Sequence, residues 1–476
     1  MKDFGIIYLN DKCTTIDRKG NRYKKFKSII TNEEYEVKTK RTELIQTYCV
    51  VNYDDKTILE YCDDINDDYN LIVQKLGLLN WSMKFDNKLD LDMYLIDSTP
   101  HRKHYKGNII SVDPIGCKDI DDAICLVEGF SDYEIHIHIS DPSSFIPINS
   151  PLDNEIKNRN SSIYLNNVYH MLPDILSTDI ISLIEKKERR AYTCIITIPN
   201  KFRDTYIEDI FINLEDIDFR FEKSTIIVDR NMSYEEFIND MNNSQYPENE
   251  YYRKLFNVGF NLYKTLNLDG EYDSHKMIEA YMLLCNMCAA KICRLKRASD
   301  GDSNYNMMTE YVLENKKHKM FDNYYTHFTS PIRRYVDIIV HRLILNPDSY
   351  TEIELTNLVK DINNKNKILK KVYNIYNLIN LMEDNNEIEI KARIVYIQEN
   401  NIKLICDGKI LNVNIDYRLI DNQIISIIYD KESIKIIHNE NEKIYKIHEE
   451  INLKIYFLKN EINPFKIILC DNYILI

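Results

Sequence analysis

The chain is short of residues that punctuate structure: 10 glycines, 11 prolines and a single tryptophan in 476 residues. No Gly- or Pro-rich stretch marks a linker and no repeat of fixed period stands out, so domain boundaries rest on changes of pattern. The Asn, Ile, Lys, Asp and Tyr bias that fills the space reflects an AT-rich coding genome more than any activity. Long hydrophobic runs are missing too. No window reaches about 18 uninterrupted apolar residues, and the apolar part of MKDFGIIYLNDK is too short for a signal peptide. No membrane role and a cytoplasmic location are therefore expected. The eleven cysteines are odd in number. They read as mostly buried thiols of a reducing compartment. A positive charge balance is also lacking. The net charge of −14 and pI of about 5.4 argue on average against a polyanionic partner, because affinity for nucleic acid comes from phosphates neutralised by Lys and Arg. Averages hide local fields, however, and basic clusters recur at 24–27, 38–41, 101–106, 186–190 and 291–297. Most such clusters are solvated surface.

What is present is a soluble, foldable composition, 44% hydrophobic and 29% charged, long enough for two or three domains. Over residues 1–100, short alternating runs (FGIIYL, TYCVVNY, KTILEYC) broken by polar turns suggest a small β-barrel. Over 101–385, strands (NIISVD, AICLVEG, YEIHIHI, YTCIITI) precede helical periodicity at Tyr234–Met241, Tyr251–Leu266, Lys276–Lys296, Ile332–Leu345 and Ile353–Met382, which implies a mixed α/β domain. Over 386–476 the β signals return (EIEIKARIVYIQ, NIKLIC, LKIYFL), consistent with a second small barrel.

One stretch, DPIGCKDIDDAI, places Asp113, Asp119, Asp121 and Asp122 within ten residues. NIISVD reads as a strand ending at Asp113, Pro114 and Gly116 as a turn, and AICLV as the next strand, so the acids sit on the lip of a sheet. Carboxylates that close repel unless some take up protons or a cation sits among them. An all-oxygen donor set suits Mg²⁺, with Mn²⁺ as the alternative. Composition alone would produce four acids at fixed offsets roughly 0.3 times somewhere in this chain. Spacing by itself therefore decides little.

The wording around the acids decides more. IISVDPIGCKDIDDAI resembles the active-site signature of the ribonuclease II, or RNB-domain, family. YEIHIHISDPSSF, YLNNVYHMLPDILSTDIISL, IEAYMLLCNMCAAK and YTHFTSPIRRYVDIIVHRL resemble further family motifs in family order, over about residues 102–385. The resemblance implies a central RNB-type α/β domain flanked at both ends by OB-like barrels, the first of cold-shock type and the second of S1 type.

It also implies a metal-dependent exoribonuclease that hydrolyses single-stranded RNA from its 3′ end to 5′-monophosphates. Asp113, Asp119, Asp121 and Asp122 would hold metal, with Asp121 and Asp122 catalytic. One arginine of the pair would meet the scissile phosphate, Arg333 in preference to Arg334. In HFTSPIRRYVDIIVHRL, Thr329 or Ser330 is expected to cap a helix whose first turn opens with Pro331, leaving free N–H groups for a phosphate. A capped surface helix whose arginines meet only water is the plain alternative. Glu279 and Asn286, seven apart on one helix face, would line an RNA channel or merely form a polar edge. Tyr234, at a helix start, would stack on the terminal base, and Tyr272 is the sole candidate for a second clamping aromatic, because the insert before Met277 is short. A monomer acting on single-stranded RNA is expected. Competing readings are a non-catalytic RNA-binding or scaffold member of the same fold, and a metal-dependent nuclease that attacks DNA or cuts internally.

Overall fold

A computed structural model describes residues 2–11, 16–43, 46–63, 69–81, 85, 101–129, 132–199, 214, 217–300, 308–382, 387–398, 401–406, 409–414, 425–429, 433–438, 441–457, 465–469 and 474–475. The chain divides into two compact units, residues 1–80 with 302–307 and 364–476, and residues 81–301 with 308–363. The domain boundaries expected at 100 and at 385–386 fall outside the described residues.

In the first unit, β1 (Lys2–Tyr8), β2 (Arg22–Ser28), β3 (Glu34–Thr39), β4 (Gln46–Asn52) and β5 (Thr57–Cys62) close into a barrel in the order β1-β2-β3-β5-β4. Ile7, Phe26, Val37, Cys49 and Val51 fill its interior, and closure removes the free edges such short strands would expose. A helix not anticipated from sequence follows, α1 (Tyr69–Gly77). Its buried Ile72, Val73 and Leu76 make a stripe too short to stand out as a period. From Glu387 onward the described strands form one six-stranded and one three-stranded sheet, with Ile394, Leu404, Leu453 and Ile455 in the core.

The second unit contains β6 (Lys103–Lys106), β7 (Ile110–Asp113), β8 (Asp122–Glu128), β9 (Asp132–Ser140), α2 (Pro151–Arg159), β10 (Ile163–Tyr164), β11 (Val168–Tyr169), β12 (Glu188–Pro199), β13 (Asp218–Ile227), β14 (Arg230–Ser233), α3 (Tyr234–Asn242), α4 (Asn249–Thr265), α5 (Ser274–Ile292), β15 (Lys296–Asp300), β16 (Met308–Val312) and α6 (Tyr335–Leu345). Helix α7 follows at Glu352–Met382. Seven strands make one sheet in the order β14-β7-β8-β9-β12-β13-β6, antiparallel except for the outermost pairs. Period-two alternation sends Ile124, Leu126, Ile135, Ile137 and Ile139 into the large core, which also holds Leu284 and Cys285 of α5 and Ile338 and Ile339 of α6. The other face carries a smaller cluster with Ile109, Ala123, Cys125, Ala191, Ile226 and Val228.

Helix α5 is apolar nearly all round, as a central helix must be. Helix α4 approaches closely at Gly259, where a Cβ would lie 2.6 Å from the Tyr272 hydroxyl and 2.7 Å from Met277 Cγ. Helix α5 ends at Ile292 and not at the expected Lys296. Lys296 instead opens β15, and its ammonium donates to the carbonyls of Ala290 and Cys293, capping the helix end.

One fully buried carboxylate braces the sheet against α6. Asp141 accepts from Arg102 at 2.9 Å, from Lys223 at 2.7 Å and from the Ser143 hydroxyl at 2.5 Å. Burial alone would raise its pKa, but Lys223, His341 and Arg102 together hold it well below the usual carboxylate range. Arg102, part of a basic cluster in the sequence, is thus an internal group.

Candidate active site

The four aspartates lie where strand geometry puts them. Asp113 is the last residue of β7, and Asp122 is the first of β8, opposite Ile139 of β9. Between them Gly116 adopts a positive φ of 79°, which lets the chain turn back. The Asp121 carbonyl accepts from the Ser140 N–H at 2.8 Å, so the ladder with β9 continues one residue past the strand.

Arg333 faces this loop. Its Nε is 3.5 Å from Asp121 Oδ2, while Asp121 Oδ1 accepts the Ile332 backbone N–H at 2.8 Å. The arginine turn is held from three sides. The Ser162 N–H donates to the Arg333 carbonyl at 3.0 Å, the Tyr335 N–H to the Asn160 carbonyl at 2.9 Å, and the Ser330 N–H to Asp337 Oδ1 at 2.8 Å. Arg334 points inward, with Nε and Nη2 each 2.9 Å from the buried Asp337 carboxylate. The two arginines therefore have separate jobs: Arg334 locks the turn and Arg333, exposed, presents charge to the acids.

The acids are electrostatically one group. Burial pushes Asp121 up to about 7 and Asp113 up to about 6; Arg333 opposes both shifts and Asp119 adds to both. Asp122 is raised well above the usual range by burial first, then by Asp113 and Asp121. Asp113 Oδ2 is buried without a hydrogen-bond partner. An all-carboxylate set with an orphaned oxygen and disfavoured charges fits a hard divalent cation. Among the described residues, these four do not bring three carboxylate oxygens within 4.8 Å of one another, so a cation would have to draw them together. Asp119 accepts from the Tyr164 hydroxyl at 3.2 Å.

Tyr234 opens α3, capped by Ser233, and its phenol is raised to about 12 by burial and by Asp113 and Asp122. Its ring packs edge-on against His275 at the start of α5, 5.3 Å between centroids. The structure thus gathers Asp113, Asp119, Asp121, Asp122, Arg333 and Tyr234.

Other expected site residues stand elsewhere. Asn286 is buried, accepting from the Phe328 N–H at 2.7 Å and donating to Tyr325 at 3.2 Å and Thr329 at 3.3 Å. It shapes the loop that carries the arginines and does not line a channel. Glu279, half-exposed, pairs with Lys276 at 2.7 Å. Thr329 and Ser330 are buried and cap nothing. The expected helix start at Pro331 moves to Tyr335, with Arg334 in extended backbone as its N-cap. The free N–H groups expected there are engaged: Ser330 by Asp337, Ile332 by Asp121, Arg333 and Arg334 by the Ser330 carbonyl. Tyr272 is no exposed clamp either, since its ring sits among Phe256, Phe260 and Tyr263 and its hydroxyl donates to the Phe256 carbonyl at 2.6 Å.

Sequence reasoning missed Tyr164 and Asp337. The string YLNNVYHML held a signal for the first, while the Asp337 role follows from the Arg334 fork that only the fold shows.

The chain is similar to known proteins. A family model described as the RNB domain matches residues 102–265 and 302–347. Ribonuclease R of Chlamydia pneumoniae is 25% identical over 345 residues, 56% of this chain and 50% of that protein. Among solved structures, Mycoplasma genitalium RNase R in complex with ribose methylated single-stranded RNA aligns with a TM-score of 0.66 at 17% identity, covering 99% of this chain and 100% of that one. Yeast Ssd1, a pseudonuclease, aligns with a TM-score of 0.67 at 12% identity, covering 100% and 83%. The chain spans half or less of the length of the first curated relatives it matches.

Proposed function

This chain belongs to the RNB family, and we propose that it is a hydrolytic exoribonuclease that shortens single-stranded RNA from the 3′ end to 5′-monophosphates. The observation that carries the reading is the meeting of Arg333 with Asp121, 3.5 Å apart, beside carboxylates whose charge is disfavoured. Asp113, Asp119, Asp121 and Asp122 would hold one or two divalent cations, Mg²⁺ or Mn²⁺. A bound cation supplies Lewis acidity that polarises the phosphate and lowers the pKa of water.

The chain's own groups do the rest. Arg333, long and exposed, reaches the phosphate and neutralises charge that builds on it in the transition state. Asp337 and Arg334 keep the turn rigid, so that Arg333 is aimed before substrate arrives. Tyr164 orients Asp119 through its hydroxyl. Tyr234 offers an aromatic face at the rim, and stacking worth about 1–3 kcal/mol per base tolerates any sequence. RNA would be selected by shape and 2′-OH. The protein would work in the cytoplasm as a monomer.

A 5′-labelled single-stranded RNA, incubated with Mg²⁺ or with EDTA beside DNA of the same sequence, tests the proposal. A descending ladder on RNA alone, absent in EDTA and in Asp122→Asn, is expected. A single internal product or equal attack on DNA would indicate a different nuclease. Retained RNA binding with no product under any metal would favour a non-catalytic RNA binder, a reading that the likeness to the pseudonuclease Ssd1 keeps in view.

A further inference from the structure

On the face of the sheet away from α5 and α6, three side chains converge that the proposed chemistry does not use. Cys125 of β8 stands opposite His136 of β9, and His138 follows two residues on, on the same face. Each offers one donor atom, and the three donor atoms lie within 4.8 Å of one another, all on buried residues.

The hydrogen bonds around them fix which atoms are free. The Ser224 hydroxyl donates to the Ala191 carbonyl at 3.3 Å, so it accepts from Thr193 at 2.6 Å, and Thr193 in turn accepts from His138 Nδ1 at 2.8 Å. His138 Nε2 is left as an acceptor, and it takes the Cys125 S–H at 3.7 Å, so the two donor atoms a metal would use already face each other. His136 Nε2 is 2.8 Å from the Glu134 carboxylate and must donate to it. His136 Nδ1 is left as a bare lone pair, buried with no hydrogen-bond partner. A buried nitrogen without a partner calls for a bound water or ion, and here it stands beside two further donor atoms.

We propose that Cys125, His136 and His138 form a transition-metal site, for Zn²⁺ by choice of donors, separate from the carboxylate site. One thiolate and two neutral imidazoles suit Zn²⁺ and exclude Mg²⁺. A tetrahedral zinc with bonds of about 2.3 Å to sulfur and about 2.0–2.1 Å to nitrogen requires S···N separations near 3.6 Å, close to the 3.7 Å between Cys125 and His138. The outer hydrogen bonds repeat a known device: a carboxylate on one ligand histidine and a hydroxyl chain on the other set tautomer and ring orientation. On binding, the Cys125 S–H bond breaks, its proton leaves to solvent and an S–Zn bond forms. The histidines bind neutral and release nothing. A water would complete the fourth position. Burial favours neutral histidines, lowering His138 to about 3. The same burial raises the Cys125 thiol to about 12, which the metal must overcome. The bound ion would staple β8 to β9 three residues beyond Asp122.

The test uses the untagged full chain, dialysed against a weak chelator and then given Zn²⁺ or Co²⁺ alone. About one equivalent of tightly held zinc, and a Co²⁺ spectrum with a thiolate charge-transfer band, are expected. Cys125→Ala, a small change in a cluster that already holds Ala123, should lose both. Thr193→Val should weaken zinc binding about 10–100-fold. Asp122→Asn should leave zinc content unchanged, which separates this site from the carboxylates. Wild-type protein that takes up no stoichiometric zinc and shows no charge-transfer band would overturn the proposal, whatever the variants do. Cys125→Ala that keeps both metal and band would overturn it equally.

Discussion

Asp121→Asn should make the metal-free protein more stable while ending turnover. Asp121 is 5% exposed, and burial pushes its carboxyl up to about 7 from an ordinary value of 3.8. Its folded-state pKa lies above the unfolded one, so the fold prefers the protonated form. That preference is fully satisfied below about pH 4, and the stability is lost as pH rises through about 7. A shift of roughly three units at 1.36 kcal/mol each puts the strain above pH 7 at about 4 kcal/mol, an upper value because the neighbouring acids share it. The Asn side chain keeps an oxygen for the Ile332 N–H, so little is lost in exchange. Thermal or urea unfolding in EDTA at pH 8 should show the variant more stable by about 2–4 kcal/mol, with the gain shrinking toward zero at pH 4. Saturating divalent cation should restore wild-type stability and do much less for the variant. A variant no more stable than wild type at pH 8, or a gain equal at both pH values, would refute the reasoning that burial of uncompensated charge strains this site.

The two arginines should separate cleanly. Arg333→Ala should change stability by no more than about 1 kcal/mol while slowing RNA cleavage roughly 10²–10³-fold. Arg334→Ala leaves the buried Asp337 without its fork and should cost about 3–5 kcal/mol in urea unfolding; the reverse pattern would mean the roles are exchanged. Asn286→Ala should destabilise by about 1–3 kcal/mol by orphaning the Phe328 N–H, and in whatever folds it should lower kcat more than KM, whereas a channel-lining residue would raise KM first.

The sequence by itself determined the β-rich ends, the main strands and long helices between them, and the residue types of the loop. Alternation marks the β-rich ends, Pro114 and Gly116 turn the Asp113–Asp122 segment back on itself, and DPIGCKDIDDAI and HFTSPIRRYVDIIVHRL supply the acids and arginines of the candidate site. These are local properties, set by periodicity and turn chemistry within ten or so residues, and they survive any uncertainty about what packs where. Tertiary structure alone decided which polar groups are spent on the fold. Arg333 and Arg334 are adjacent and chemically identical, yet the buried Asp337 carboxylate claims one and leaves the other for Asp121. The Ile332 N–H, expected to await a phosphate, goes to a carboxylate 211 residues earlier in the chain. Asn286 serves as scaffold and not as channel wall because the loop from Tyr325 to Ser330 folds over it and supplies its partners. The convergence of Cys125, His136 and His138 depends on strand register, since a slip of one residue between β8 and β9 would send either strand's ligands to the opposite face. Long-range hydrogen bonds are assigned by burial, because an unpaired polar group away from water costs more than any local preference returns, and no window of sequence contains both partners.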